Sequence, residues 1–477
     1  MKHRVPLVSR DDRACVASFR HVMRRSTTTP VTTLVALVFW LAATAALAPP
    51  IASAQSTPQP LPSVSDTYDS APEFTSYPAV EPPVWQSNGG PQTDPSSIGF
   101  LTLDTPLMTD MLNFQNMQTR KEVDLILNQS DYESPVVIVG GQMRASGIFA
   151  ATNRANKFPY LGRFPTDFTG TSASDLRLLQ GNVAGATHFS PWVSGYFETL
   201  FSDVFTFPSF NQGSFQVRQA YVTIGNFEES PFYGYIGKKN VGFGDMRTLS
   251  PFSQAMTWHY FAALAEGGGI GYRRNGLDLT VAALNGGRGI RVTRSGNKGH
   301  LSNMAANASY TWTGEARDWE CQIGGGYLDG TIYDLAVPDH INFAAVGPRN
   351  PAWDVNSNVR FGRFLFSGEY IQTIDPWPST NHEVIAYRTE AAVLHTLRFT
   401  PAKTSISWSE GIQGPTGSQF EFNQQLVVGT ELYFTPNVRF AVEWVRSSGF
   451  APLINIATVS DRNVVQNTAL FGLTVVF

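Results

Sequence analysis

The chain has 477 residues, 15% of them charged and 12% aromatic, and it includes 41 glycines. That mix disfavours a charged helical enzyme and suits an all-β protein rich in turns and aromatic side chains. A mean hydropathy of −0.12 is too polar for a bundle of membrane helices, whereas a β-barrel meets lipid with only every second residue of each strand.

The first element is a targeting segment. Lys2, Arg4, Arg10, Arg13, Arg20, Arg24 and Arg25 precede an apolar run from Val31 to Leu47, and Ala52-Ser53-Ala54 follows before Gln55. A positive region, an apolar region and a small-residue site in that order predict a signal peptide over 1–54, cleaved after Ala54. Met23 is an alternative start, and an uncleaved anchor is the competing reading. Cleavage would remove seven Lys/Arg and two Asp/Glu, leaving 27 against 36, or −9. Nucleic acid is therefore not an expected partner. Cys321 would be the sole cysteine, which excludes an intramolecular disulfide and a cysteine-based metal site. Beyond residue 54 no stretch approaches the ~18 apolar residues that a membrane helix needs. Any crossing would be made by strands.

A leader follows over 55–133. It is rich in Pro and Ser up to about Gly99 and has no core of its own. Met111, Leu112, Phe114, Met117, Val123 and Leu125 then predict a short helix around Thr109 to Asn128. Plug, cap and tether all remain open as its role.

From Ser134 to Phe477 alternating segments are separated by turn signals. In the last of them Phe477, Val475, Leu473, Phe471 and Ala469 share one face, and Val476, Thr474, Gly472, Leu470 and Thr468 share the other. A strand sends alternate side chains to opposite faces, so one face suits lipid and the other is mixed. The same reading predicts strands at 136–151, 175–188, 192–205, 214–226, 231–240, 266–273, 276–284 and 301–312. It continues through 317–328, 353–361, 363–373, 384–398, 402–411, 425–434, 437–446 and 466–477. Short connections such as Arg274-Asn275 and Thr435-Pro436 alternate with long ones such as 241–265, 285–300, 329–352, 412–424 and 447–465. Alternating short turns and long loops predict a transmembrane antiparallel β-barrel of about 16 strands in the bacterial outer membrane, with both ends in the periplasm. A soluble β-sandwich or β-helix is the competing fold, and the terminal Phe477 weighs against it.

No Gly-x-Ser-x-Gly elbow, His-Glu-x-x-His or phosphate loop is present in the sequence. Glu266-Gly267-Gly268-Gly269-Ile270-Gly271 runs straight into Tyr272 and is read as a glycine-rich strand. No enzyme activity, cofactor or metal is expected, a barrel lipase being the residual enzymatic alternative. In a barrel, function lies in the pore lining and the loops. Arg218, Lys238, Arg363 and Arg439 are candidate pore-lining residues, because a charge on the lipid face costs about 2–4 kcal/mol at the midplane. Glu369, Glu431 and Glu443 are their candidate partners. The 241–265 loop carries Trp258, His259 and Tyr260 as candidate contacts, and either folds inward to narrow the pore or packs outside. Arg288, Arg291, Arg294 and Lys298 form a cationic loop suited to an anionic solute or to lipopolysaccharide phosphates.

The stretch from Phe215 to Gly244 adds a family resemblance. Arg218-Gln219-Ala220-Tyr221-Val222-Thr223-Ile224-Gly225-Asn226 is followed by Ser230-Pro231-Phe232-Tyr233-Gly234-Tyr235-Ile236-Gly237 and then Gly242-Phe243-Gly244. This resembles the LbtU-type siderophore porin family of Gram-negative outer membranes. Gly242 stands where that pattern has Pro, and the Pro/Ser-rich leader replaces the helical one of many members. The resemblance implies an outer-membrane channel for small solutes, with ferric siderophores as substrate. A general or anion-preferring diffusion porin is the first rival, and a structural or adhesive barrel without transport is the second. Sixteen-stranded porins are often trimers, and by that analogy a homotrimer is expected.

Overall fold

The computed structural model describes residues 101–116, 118–155, 170–202, 214–285, 301–314, 318–334, 349–450 and 462–477. The cleavage site after Ala54 and the Pro/Ser-rich stretch up to Gly99 lie outside the described residues.

Sixteen antiparallel strands close on themselves. They are β2 (Val136–Thr152), β3 (Ser172–Ser190), β4 (Val193–Ser202), β5 (Ser214–Gly225), β6 (Phe232–Asn240), β7 (Leu264–Arg274), β8 (Leu277–Asn285) and β9 (Leu301–Thr313). The circuit continues through β10 (Trp319–Leu328), β11 (Ala352–Phe361), β12 (Phe364–Thr373), β13 (Ile385–Leu397), β14 (Thr400–Ile412), β15 (Asn423–Thr435), β16 (Val438–Gly449) and β17 (Val465–Val476). Every predicted strand is present, with its ends within three residues of expectation. Each strand pairs with its neighbours in sequence, and β17 returns to β2 with Val476 opposite Gln142 and Gln466 opposite Thr152. Gly141 and Phe477 exchange both backbone hydrogen bonds at the end of that seam, at 2.8 and 3.0 Å. Beyond the chain end the same edge of β2 is taken by a short parallel strand, β1 (Leu101–Leu103).

Closure removes the free edges that an open sheet of this size would expose. The alternation of faces then sorts the side chains. Phe471 and Leu473 on β17, Phe477 just past its end, and Val442 and Trp444 on β16 are exposed on the outside, while Thr468, Leu470, Thr474 and Val476 are buried on the inside. Phe149 and Phe471 meet edge-to-face across the closing seam on the outer surface, 6.2 Å between centroids. Cys321 lies half-buried on the outward face of β10 beside exposed Trp319 and Ile323. The run Gly267 to Gly271 is strand β7, as expected, and a Cβ at Gly271 would sit 2.2 Å from the Tyr233 ring. The tight β7–β8 turn uses Asn275 and Gly276 at φ 52° and 84°, the left-handed pair that a two-residue hairpin requires. No helix among the described residues is long and apolar enough to cross a membrane.

Residues 104–133 form two short helices rather than one. Helix α1 (Thr105–Leu112) is capped by Asp104, whose Oδ1 accepts from the Leu107 amide at 2.8 Å. Helix α2 (Lys121–Leu127) follows after an irregular turn and one turn of 3-10 helix at 118–120. The single predicted helix fails at 113–120 because polar side chains there bind backbone: Asn113 Oδ1 accepts from the Gln115 amide at 3.1 Å. A third helix, α3 (Met256–Phe261), lies in the 241–263 connection.

Candidate functional site: the occupied lumen

The barrel interior is filled. Each of the sixteen strands buries at least one inward side chain to below 10% exposure, from Gln142 on β2, Glu198 on β4 and Asp278 on β8 to Arg388 on β13 and Thr468 on β17. A water-filled lumen would leave such groups solvated. Two segments cover them: the 241–263 connection and residues 104–133.

The connection leaves β6 and folds inward across the wall. Four wall carboxylates hold its backbone, the first being Asp354 on β11, which accepts from the Gly244 amide at 3.1 Å. Glu369 on β12 accepts from the Asp245 amide at 2.6 Å and the Met246 amide at 3.2 Å. Glu390 on β13 accepts from the Leu249 amide at 2.9 Å and the Thr248 hydroxyl at 2.6 Å. Glu443 on β16 accepts from the Phe252 amide at 2.6 Å and the Ser253 amide and hydroxyl at 3.1 and 2.5 Å. Carboxylate–amide bonds of this kind contribute about 1.5–3 kcal/mol each when buried, so this is an anchored loop rather than a draped one. Arg388 completes the anchor: its guanidinium reaches Asp245 at 2.7 Å, Glu390 at 2.8 Å and Glu369 at 3.1 Å. Arg247 pairs with the other oxygen of Asp245 at 2.5 Å.

Apolar packing fixes both ends of the loop. Phe243, Met246, Met256, Tyr260 and Phe261 join one buried cluster with Tyr333 and Trp377. Small inward residues on the wall make room for it. A Cβ at Gly411 would lie 2.1 Å from the Tyr260 ring, and one at Gly472 would lie 2.3 Å from the Phe252 ring. These glycines are seats for loop aromatics.

Residues 104–133 fill the remainder at the short-turn end. Leu107, Met108, Met111, Leu112 and Leu125 pack on Ile138, Ala184, Ala186, Tyr196, Tyr221 and Val476 of the wall. Arg120 contacts Asp278, Tyr233 at 2.8 Å and Asn307 at 3.2 Å. Lys239 binds Glu122 at 2.8 Å and the Thr119 carbonyl at 2.9 Å. Gln129 accepts from Ser194 at 2.6 Å. Desolvation pushes the Asp110 carboxyl up to about 6, against the pull of Lys121 beside it. The segment also bonds to the inward loop: Gln115 to the Phe252 carbonyl at 2.8 Å, Thr119 to Gly244 at 3.1 Å, and Gln254 to Phe114 at 2.8 Å.

The candidate residues fall into three groups. Glu369, Glu431, Arg439 and Glu443 face the lumen, with Glu431 3.1 Å from Lys403 and 3.8 Å from Arg439. Arg218 also reaches inside, because a bulge opposite Glu198/Thr199 turns it there. It lies 3.6 Å from Glu198, with its guanidinium 4.0 Å above the Phe114 ring. Trp258, His259 and Tyr260 form part of α3 inside the barrel, which decides for the inward loop. Two expectations are corrected. Lys238 faces outward with Phe232 and Ile236, its Nζ donating to the Val217 carbonyl at 2.8 Å, and Lys239 is the inward cation. Arg363 sits exposed in the β11–β12 turn over the Phe364 ring, outside the pore lining. Arg288, Arg291, Arg294 and Lys298 lie outside the described residues. Among the described residues no group of three His, Cys, Asp or Glu is placed to hold a metal ion.

Arg388, Glu390, Lys239, Asp245 and Glu122 carry the anchor and were absent from the sequence reading. Arg388 and Glu390 were findable, since charges two apart on an alternating strand share a face.

No family model matches the chain, and no curated protein sequence matches it. Among solved structures it is similar in fold to the outer membrane channel DcaP of Acinetobacter baumannii, at 13% identity over 71% of this chain and 97% of that one, with a TM-score of 0.46. An anion-selective porin from Comamonas acidovorans gives 9% identity, 72% and 100% coverage, and a TM-score of 0.48. OprB of Pseudomonas putida gives 9%, 76% and 100%, and 0.46.

Proposed function

We propose that this chain is an outer-membrane channel for small solutes whose passage is set by the inward 241–263 loop and by residues 104–133. The observation that carries the reading is a closed sixteen-strand barrel, apolar outside, whose polar lumen is occupied by hydrogen-bonded segments. Barrels of this strand number enclose an aqueous passage once the interior is cleared. Contacts between residues 104–133 and the loop are polar, and water can replace them at small net cost. The outer faces support placement in a bilayer, and the N-terminal signal, cleaved after Ala54, would deliver the chain to the periplasm. Assembly as a homotrimer remains part of the proposal by analogy.

The solute we favour is a ferric siderophore. Its support is the likeness over Phe215 to Gly244, which falls on the β5–β6 hairpin that launches the inward loop. General or anion-preferring diffusion is the rival reading. Planar-bilayer recording of the folded chain tests both levels. Stepwise conductance is expected, with block by micromolar ferric chelate if the siderophore reading holds. Steps indifferent to the chelate would leave a general porin. A folded but silent barrel would sink the channel reading in favour of a structural or adhesive role.

A further inference from the structure

The outer surface of the barrel carries a site of its own at the long-loop end. The outward side chains of β16 run Val442, Trp444, Arg446, Ser448, so the apolar band ends between Trp444 and Arg446. β17 has turned polar at the same level, and β15 turns polar one outward position further on, from Leu426 to Gln424. Arg446 stands opposite Leu426 on β15 and Asn467 on β17, and Gln424 stands opposite Ser448. A cleft of about 370 Å³ opens there, lined by Trp408, Gln424, Arg446, Ser448, Arg462 and Asn463 among others. Arg462 is 39% exposed and shares its charge with Glu421 at 3.4 Å. Arg446 is exposed, and its side chain makes no hydrogen bond or ion pair among the described residues.

An unpaired guanidinium facing outward at the rim of an apolar band is free to take an anion at the same depth. In a bilayer that depth belongs to the lipid headgroups. Long loops point away from the periplasm, so the leaflet in question is the outer one. A phosphate monoester matches the planar donor fork of Arg446, while Gln424, Ser448 and Asn463 offer neutral hydrogen bonds and Trp408 an amphipathic ring. We propose that this cleft binds the phosphorylated headgroup of an outer-leaflet glycolipid, with Arg446 as its principal contact and Arg462 as the second. The inference rests on the outer-membrane placement proposed above.

The test uses the folded full chain in neutral detergent, titrated with diphosphoryl lipid A, its dephosphorylated counterpart and inorganic phosphate. Saturable binding of the diphosphoryl lipid is expected, and Arg446→Gln should weaken it about tenfold or more, the scale of one charge-assisted hydrogen-bonded pair. The dephosphorylated lipid should bind no better than the variant. Should Arg446→Gln fail to fold, Ser448→Asp places a negative charge in the same cleft and should weaken binding likewise. Equal affinity of wild type and folded variant would overturn the proposal. Displacement by millimolar inorganic phosphate alone would overturn the lipid as the source of the anion. A variant that still shifts on heating in gels and still conducts separates failure of this site from failure of the channel reading, which would show as no bilayer insertion at all.

Discussion

A chain lacking residues 104–133 should conduct measurably more than the full chain, because the inward loop is then the only one of the two described segments left in the lumen of a sixteen-strand barrel. The expectation follows from what the segment covers. With it go the Arg120 contacts to Asp278, Tyr233 and Asn307 and the Lys239–Glu122 pair. Lys239 and Asp278 would then meet water. The barrel itself should survive, since its closing seam runs from Gln142 to Thr152 against β17 and involves no residue of the deleted segment. Some stability should be lost. Leu107, Met108, Met111, Leu112 and Leu125 are buried on the wall, and burial of such side chains is worth about 1.5–3 kcal/mol each before the entropy of ordering the segment is set against it. Conductance equal to that of the full chain would mean that residues 104–133 do not limit passage.

The second large effect is expected from Glu443→Ala. Glu443 is the anchor nearest the middle of the inward loop, and no cation is bonded to it among the described residues. Its removal therefore frees the Phe252 and Ser253 amides and takes the Glu443 charge away from buried Arg144, whose guanidinium keeps the Phe252 carbonyl at 3.3 Å and the Phe252 ring. Losing these bonds should lower the local cost of loop opening by roughly 3–5 kcal/mol. Single-channel records should show frequent steps to larger conductance, while the thermal transition of the barrel stays close to wild type. Glu443→Gln retains one acceptor oxygen and should fall between the two. Records from Glu443→Ala that match wild type would show that the loop is held by its aromatic end alone. Arg388 makes a poorer probe, since its removal leaves three carboxylates buried together and costs about 3–5 kcal/mol for reasons unrelated to the loop.

Strand positions were legible in the sequence because an apolar outer face and a filled interior impose period-two alternation on every strand. Val442 and Trp444 against Ala441 and Glu443 is one such record, written in local order. The filled lumen was not legible in the same way. Its anchors join residues far apart in the chain, Asp245 to Arg388 and Ser253 to Glu443, and no local period marks them. Lys238 and Lys239 illustrate the limit. Adjacent cations must face opposite sides of a strand, and Gly237, at φ 137°, gives no side chain by which to fix the phase. Arg218 reached the lumen through a bulge, which shifts the alternation by one position. Inward glycines such as Gly411 and Gly472 read as weak strand positions until Tyr260 and Phe252 are seen against them.

The central claim is that the 241–263 loop and residues 104–133 are held inside the barrel. Hydrogen exchange of the wild-type chain in bilayer discs, read on peptides spanning those two segments, tests it most directly. Protection comparable to that of the strands is expected, strongest at the amides of Asp245, Met246, Leu249, Phe252 and Ser253, whose acceptors are buried carboxylates. Exchange of both segments at the rate of unstructured chain would contradict the account and leave an open barrel in its place.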